Sequence, residues 1–501
     1  AAVVVRGWQV MAPYDQLDIV TDRAESGRTR SYPADAIRIP IAATPEGYAT
    51  FIKAKKLAAY TIHGREVLTD PVSYSAVFGG ALAVGESFAS ANAHLFPFQT
   101  DLVARALDRQ RFAIFADCGL GKTPMALAWA HAVAEKGKVL VLVPLAVLNQ
   151  WKREAMRFHG TTMVDLRAGE TWTEGIAIAN YEARRDIDMA DVRGIVLDES
   201  SILKNENGET RDWLCSLAAG IPYRLAVSAT PAPNDHAEYA SHAVFLGYAT
   251  TAKEFFARFF RKDGTNWILR GHAITPFYRN LATWSTYIYS PKALGYSDST
   301  EMGEEPSYLY HQCAVPTGWT SKAEGQLFAS VGTAEDRSAV FGTLRATPGP
   351  RSEAIMGYLE GKRGVIWCAR NAEEEFFASQ LRASGASVAV INGSMEIEER
   401  VELVDAYRSG QVDHIVSKAR VLGFGVNLPE CDHMVYSGFG FSFEETYQAI
   451  RRAHRYGRTG RLEVMFPYTD PEAPALAVLR EKQARFLGDV AEMQRRFWES
   501  A

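Results

Sequence analysis

Ala116-Asp-Cys-Gly-Leu-Gly-Lys-Thr123 sits between the apolar run Phe112–Phe115 and the helix-like stretch Met125–Ala134. A strand, a glycine-rich turn closing in Lys-Thr and then a helix form the arrangement that holds a nucleoside triphosphate. Turn N–H groups and the helix N-terminus wrap phosphate oxygens. The pattern predicts that Gly119 and Gly121 shape the turn and that Lys122 neutralises the terminal phosphates. The Thr123 hydroxyl is expected to hold a magnesium ion. ATP and Mg2+ are the ligands this stretch implies.

Outward from the turn, short apolar runs alternate with helical patterns from about Leu95 to Gly247. Val139–Val143, Gly194–Leu197 and Leu225–Val227 are β-rich, and each ends at polar residues. Continuous apolar strands followed by helices predict a parallel sheet covered on both faces. The pattern resumes after about residue 346 with Gly364–Cys368, Ser387–Ile391, His414–Val416, His433–Tyr436 and Glu463–Phe466. The expected architecture is therefore α/β, with parallel-sheet lobes over 91–247 and 346–470 and chemistry at the carboxyl ends of the strands. An α+β accessory domain is expected over 1–90, with strands Val3–Val10 and Ile37–Ile41 and a helix opening at Thr44-Pro45. A mainly helical, aromatic-rich insert over 248–345 separates the lobes. The closing segment 471–501 reads as an amphipathic helix that packs through Leu479, Phe486, Val490, Met493 and Phe497.

A chain of 501 residues is expected to form about three domains. The hydrophobic fraction of 47% and charged fraction of 23% are those of an ordinary globular protein. The net charge of −5 supplies no global basic field, so any nucleic acid must be met by a local patch. Cys118, Cys215, Cys313, Cys368 and Cys431 form no C-x-x-C pair, which argues against a zinc site or a disulfide framework. No apolar run approaches the ~18 residues of a membrane span. The segment beginning at Ala1 lacks the h-region of a signal peptide, so a cytosolic location is expected and no membrane partner.

Three further motifs carry chemistry. Asp198 and Glu199 follow the apolar Val196-Leu197. At a strand end in the same lobe as the glycine-rich turn, Asp198 suits the magnesium shell and Glu199 the polarisation of an attacking water. A solvated acidic turn is the bland alternative, and spacing disfavours it. Ser228-Ala-Thr230-Pro231 ends another strand, where hydroxyls can relay the state of the terminal phosphate. Gln448-x-x-x-Arg452-Ala-His-Arg455 puts two guanidinium groups three residues apart on one helix face, able to stabilise charge on a transferred phosphoryl group across a cleft. The run Arg451–Arg461 would also fit a basic surface helix. In the insert, Phe255-Phe256-Ala-Arg258-Phe259-Phe260-Arg261-Lys262 mixes cations with aromatics. A nucleic-acid surface and an aromatic core with snorkelling cations both fit it. Lys53, Lys55 and Lys56 read first as a solvated face and second as a DNA-binding arm.

Together these motifs resemble the superfamily-two helicase-like ATPases, and within them the SWI/SNF-type DNA translocases. Ala116 stands where the commonest phosphate loop has glycine, giving the A-x-x-G-x-G-K-T form typical of nucleic-acid motors. Leu95-Phe-Pro-Phe-Gln99 resembles L-R-P-[YF]-Q, Val141–Arg153 resembles motif Ia, and Ala179-Asn-Tyr-Glu182 resembles I-T-x-Y-E. Asp198–Asn205 is similar to D-E-A-H-x-L-K-N, Gly423–Leu428 to motif V, and Arg452–Arg455 to D-R-A-H-R-I-G-Q. The resemblance implies two RecA-like lobes, with Gln99, Gly425 and Gln448 at the nucleotide and Ser228 and Thr230 in coupling. It places Pro144, Asn180, Tyr181 and Asn427 at the nucleic acid. Ser201 replaces a family histidine, Ser228-Ala-Thr230 replaces T-G-T, and Arg458 stands in place of Gln. The short core with D-E-S-S and T-P-A-P-N resembles compact phage-encoded members.

The implied function is an ATP-dependent DNA translocase or helicase, acting as a monomer on duplex, forked or branched DNA in replication, recombination or repair. Three rivals are an RNA helicase, the motor subunit of a restriction or defence complex, and a non-catalytic nucleic-acid-binding scaffold. Intact Lys122, Asp198, Glu199, Arg452 and Arg455 speak against the last.

Overall fold

In a computed structural model of the chain, the described residues are 21–23, 29–31, 37–41, 44–57, 60–63, 66–69, 88, 91–183, 187–204, 208–264, 266–291, 296, 305–314, 348–422, 427–438, 442–455, 458 and 460–499. The strand expected at Val3–Val10 lies outside them.

Near the N-terminus, β1 (Thr21–Arg23) pairs antiparallel with β2 (Thr29–Ser31). Strands β3 (Ile37–Pro40), β4 (Tyr60–His63) and β5 (Glu66–Thr69) form an antiparallel sheet in the order β3-β5-β4. The helix Pro45–Ala54 starts as expected: the Thr44 hydroxyl accepts from the Gly47 N–H at 3.1 Å. Ala54 and Leu57 bury against Ile39 and Val67, while Lys53, Lys55 and Lys56 face outward.

The first lobe is built on β6 (Arg111–Ala116), β7 (Lys138–Val143), β8 (Val164–Asp165), β9 (Ile176–Asn180), β10 (Val192–Asp198) and β11 (Tyr223–Ser228). Every residue of β7 and β9 is buried, as a sheet covered on both faces requires. Gly194 in β10 allows the helix Lys122–Ala134 to lie close, since a Cβ there would meet Val133 Cγ1 at 2.8 Å.

The region expected as an insert divides. Phe255, Phe256, Phe259 and Phe260 are buried; Phe255, Phe259 and Phe260 gather around Phe277, and Phe256 stacks on Trp267. The aromatic stretch is therefore core, with Arg258, Arg261 and Lys262 left outside along its solvent side. A hairpin of β12 (Phe260–Asp263) and β13 (Asn266–Leu269) follows. Next, β14 (Ser285–Ile288) joins the first sheet beside β6, completing the all-parallel order β14-β6-β11-β10-β7-β9-β8. Likewise β15 (Ser307–Gln312) forms the edge of the second sheet.

The second lobe adds β16 (Gly364–Trp367), β17 (Val388–Ile391), β18 (His414–Ser417), β19 (His433–Tyr436) and β20 (Glu463–Tyr468). Its parallel order is β15-β20-β19-β16-β18-β17.

The last helix, Ala473–Glu499, follows β20 but packs on both lobes. Phe486 meets Tyr287 of the first lobe at 5.7 Å and Tyr447 of the second at 5.0 Å. Buried Asp489 accepts from Tyr278 Oη at 2.6 Å and lies 2.7 Å from His236 Nε2. Leu479, Phe486, Val490 and Met493 are buried as the stripe predicted; the Phe497 side chain lies outside the described residues. All five cysteines are free. Among the described residues no helix is long and apolar enough to cross a membrane.

Candidate active site

The glycine-rich turn leaves the carboxyl end of β6. Gly119 (φ 87°) and Gly121 (φ 76°) take left-handed backbone, which L side chains adopt only under strain. At Gly121 a Cβ would also lie 2.2 Å from Gln99 Nε2. Gln99 is buried, and both ends of its amide are engaged: Nε2 donates to Leu120 O at 2.8 Å, and Oε1 accepts from Phe96 N at 2.9 Å. Gln99 thus fastens the turn to the start of the helix Pro97–Arg109. Lys122 Nζ donates to Ala116 O at 3.1 Å, folded back over the strand end it leaves.

Asp198 and Glu199 end β10 facing the same space. Trp151 Nε1 donates to Asp198 Oδ2 at 2.7 Å, and the Glu199 N–H donates to Asp198 Oδ1 at 3.0 Å. Burial pushes the Asp198 carboxyl up, opposed by the Trp151 hydrogen bond and the Lys122 charge. Burial also pushes Glu199 up, to about 7, with Lys122 opposing and Asp198 adding. Glu199 holds φ 50°, and its buried Oε2 makes no hydrogen bond among the described residues. A strained carboxylate with an unpartnered oxygen and a raised pKa is poised as a base.

From the second lobe, the helix Phe443–Ile450 and the turn after it bring Arg451, Arg452 and Arg455 to the same cleft. Cys118, Gly119, Gly121, Lys122, Thr123, Gln150, Glu154, Asp198, Glu199 and Asn427 line it with them, around about 840 Å³. Burial lowers the Arg452 guanidinium, against the Cys118 and Glu199 charges. Burial and then the Arg452 charge bring Arg455 down to about 10, so it remains a cation at neutral pH.

The lobes also meet directly. Arg451 Nε lies 3.2 Å from Asp117 Oδ2, and Tyr447 Oη donates to Asp117 Oδ1 at 2.8 Å. Glu444 accepts from Lys204 Nζ at 2.6 Å and from Thr230 Oγ1 at 3.3 Å, while Ser228 Oγ accepts from Thr230 N at 3.1 Å. Sequence reasoning missed Asp117, Trp151, Glu444, Tyr447 and Arg451. Trp151 lay inside the motif Ia segment and Asp117 inside the glycine-rich turn, but nothing local marked their partners.

The four residues expected at the nucleic acid lie as follows. Asn180 and Tyr181 are both buried. Asn180 Nδ2 donates to Glu182 at 2.5 Å, and Tyr181 Oη donates to the Asp198 carbonyl, so Tyr181 supports the acidic strand end from within. Asn427 lines the cleft, where its Oδ1 accepts from Arg455. Pro144 ends β7 half-buried beside exposed Leu145. Gln448 is half-buried on its helix and does not line the cleft, and Gly425 lies outside the described residues.

Left-handed glycines, a lysine at the helix start, a threonine after it and an unpartnered glutamate oxygen fit a nucleoside triphosphate with its metal. The fold and this cleft define a two-lobed phosphate-loop ATPase. Residues 102–266 match the SNF2-related domain, and residues 351–457 match the helicase conserved C-terminal domain. These are the two domains of the superfamily-two helicase-like ATPases of the SWI/SNF type, to which the chain is similar. It is 22% identical over 425 residues to the chromodomain-helicase-DNA-binding protein 1-like of Danio rerio, covering 74% of this chain and 41% of that protein. It is 24% identical over 394 residues to the putative ATP-dependent helicase/translocase YwqA of Bacillus subtilis (strain 168), covering 68% of this chain and 42% of that protein. The chain therefore spans about two fifths of the length of these relatives. Among solved structures, the Sulfolobus solfataricus SWI2/SNF2 ATPase core in complex with dsDNA aligns with a TM-score of 0.40 and 18% identity, covering 79% of this chain and 94% of that one.

Proposed function

We propose that this protein hydrolyses ATP to translocate along duplex DNA and remodels forked or branched DNA, working as a monomer in replication, recombination or repair. The observation that carries this reading is the shared cleft. Lys122, Thr123, Asp198 and Glu199 come from one parallel sheet, and Arg452 and Arg455 come from the other. Such a site couples hydrolysis to relative movement of the lobes. The SNF2-related match, and the DNA-binding named for the Danio rerio relative, favour DNA over RNA.

In this reading Lys122 leaves the Ala116 carbonyl to neutralise the phosphates, and Gly119 and Gly121 present turn N–H groups to them. Thr123 and Asp198 would hold the magnesium ion. Bound, the metal would screen phosphate charge and orient the oxygens for in-line attack. Glu199 takes the proton of the attacking water at its carboxylate. Arg452 and Arg455 are fixed donors for charge developing at the transferred group. Thr230, held between Ser228 and Glu444, passes the state of the first lobe to the second.

The test is the ATPase rate against single-stranded, duplex, forked and four-way DNA and single-stranded RNA, with displacement of a third strand from a triplex as the movement assay. Duplex stimulation with triplex displacement supports the reading. Preferential stimulation by RNA, or efficient unwinding of a simple tailed duplex without triplex displacement, would replace it with a strand-tracking helicase.

A further inference from the structure

The cleft contains a third lobe-two arginine whose guanidinium is already committed. Arg451 is 3% exposed and Asp117 is 0% exposed. The same guanidinium stacks over Tyr289 at 4.7 Å and Tyr447 at 5.1 Å, hydrogen-bonds Tyr289 Oη, and reaches Glu305 at 3.8 Å. Asp117 is equally engaged. Its Oδ1 accepts from Tyr447 Oη and from Cys118 N at 2.7 Å, and its N–H donates to Ile288 O at 2.9 Å. The pair therefore ties the first residues of the phosphate loop, and the end of β14 beside it, to the last turn of the helix Phe443–Ile450.

Register follows from chain geometry. Glu444, Tyr447 and Arg451 are spaced three and four residues apart, so they form one stripe of a helix. Glu444 docks on Thr230 and Lys204, and Tyr447 and Arg451 dock on Asp117. Arg452 is the next residue, and Arg455 is one turn further on. A buried ion pair gives little net stability, because desolvation offsets its attraction, but it admits few geometries. We propose that Arg451 and Asp117 are a positioning pair, which sets the distance between the phosphate loop and the arginines Arg452 and Arg455. Hydrolysis then depends on the pair, whereas ATP binding by Lys122 and the loop depends on it little.

This inference rests on the ATPase reading above. In the full chain, Asp117→Asn, Arg451→Gln, Arg451→Lys and the double variant Asp117→Asn/Arg451→Gln are compared for kcat and KM of DNA-stimulated hydrolysis. Affinity for ATP is measured separately in the presence of EDTA, and thermal unfolding is followed alongside. Misplacement of a reacting group by about 1 Å costs about 100-fold, so each neutral single variant is expected to lose roughly 30- to 100-fold in kcat. ATP affinity should stay within about threefold, Arg451→Lys should recover part of the rate, and the double variant should be no slower than the slower single. A single variant that fails to fold leaves the double variant, which buries no lone charge and must fold yet remain slow. Rates within about threefold of wild type, losses that multiply in the double variant, or ATP affinity falling in step with kcat would overturn the pair. Absence of ATP hydrolysis in the wild-type chain with every nucleic acid would instead overturn the ATPase reading itself.

Discussion

Replacing Glu199 by Gln removes a charge that the fold resists and the reaction needs, so stability and activity should move in opposite directions. Asp198 and Glu199 titrate as a pair, with the upper step at about 7 because burial disfavours the second negative charge. With a midpoint near 7, the ionised fraction rises from about 0.1 at pH 6 to about 0.9 at pH 8, so kcat/KM for ATP should increase roughly tenfold over that interval. Glu199→Gln should abolish turnover while ATP still binds, since Lys122 and the loop are intact. The stability effect has a definite sign. A carboxyl whose folded pKa is raised from 4.5 to about 7 folds more readily when protonated. The wild-type chain is therefore unpenalised below pH 4.5 and loses stability as pH rises towards 7. At about 1.4 kcal/mol per pH unit over that shift, the penalty above pH 7 is at most roughly 3.5 kcal/mol. Glu199→Gln should therefore unfold at higher temperature than wild type at pH 8, and the gap should close near pH 4.5. The measurements are a pH series of ATPase rates and of thermal unfolding for both proteins. Wild-type turnover in the variant, a flat wild-type rate profile, or a variant less stable at pH 8 would refute the reasoning.

Arg455→Ala should lower ATPase at saturating ATP and DNA by about 10³-fold or more, as loss of an arginine finger does; a two- or threefold loss would return the segment to a basic surface. Lys122→Ala should weaken ATP binding itself, read as a raised dissociation constant, unlike Glu199→Gln. Asp489→Ala leaves Tyr278 Oη and His236 without their shared acceptor beneath the C-terminal helix. It should cost about 2–4 kcal/mol in denaturant unfolding, and an effect below 0.5 kcal/mol would show the helix to be loosely held. His159 stacks on His131 at 4.1 Å and meets His94 edge-on at 5.1 Å, with burial lowering each, His159 to about 4. Neutral imidazoles stabilise the fold above the ordinary value of 6.5, and that stability is lost as pH falls from there towards 4. His159→Gln should therefore flatten the acid side of a stability–pH curve, and an unchanged slope would refute the cluster's role.

The sheets were legible because each buried strand is an apolar run that ends where polar residues reach the cleft. That rule located β6, β7, β10 and β11, and with them Lys122, Asp198 and Glu199. It failed for β14, a short Ser-Thr-Tyr-Ile segment at the edge of the first sheet, hidden inside an aromatic stretch. It also left the stretch Phe255–Lys262 undecided between core and nucleic-acid surface. Phe277, on a later helix, decides for core by gathering Phe255, Phe259 and Phe260 around itself. Resemblance alone did not give the surroundings of Asn180, Tyr181 and Asn427, since a pattern records which residues recur and not which way they face. Two of them bond to partners distant in sequence: Tyr181 to the Asp198 carbonyl, and Asn427 to Arg455.

Residues proposed to act on phosphates were thus easier to read than residues that hold them in place, and the cause is physical. Lys122 owes its function to the local backbone, a tight turn opening a helix, and that backbone is written in the glycines beside it. Arg451 owes its function to Asp117, 334 positions earlier, as Tyr447 does at a separation of 330. Without the lobes docked, Arg451 is one cation in a run of cations, and it stands where the pattern D-R-A-H-R-I-G-Q has an acid. Only the packing of the helix Phe443–Ile450 against the phosphate loop separates it from its neighbours. In that packing one helix face carries Glu444, Tyr447 and Arg451 onto both Thr230 and Asp117, so a shift of the helix along its axis would disturb all these contacts together. This helix, with the helix Ala473–Glu499 that also packs on both lobes, joins the two sheets, and it is here that substitutions distant from ATP should alter the rate of hydrolysis without altering its binding.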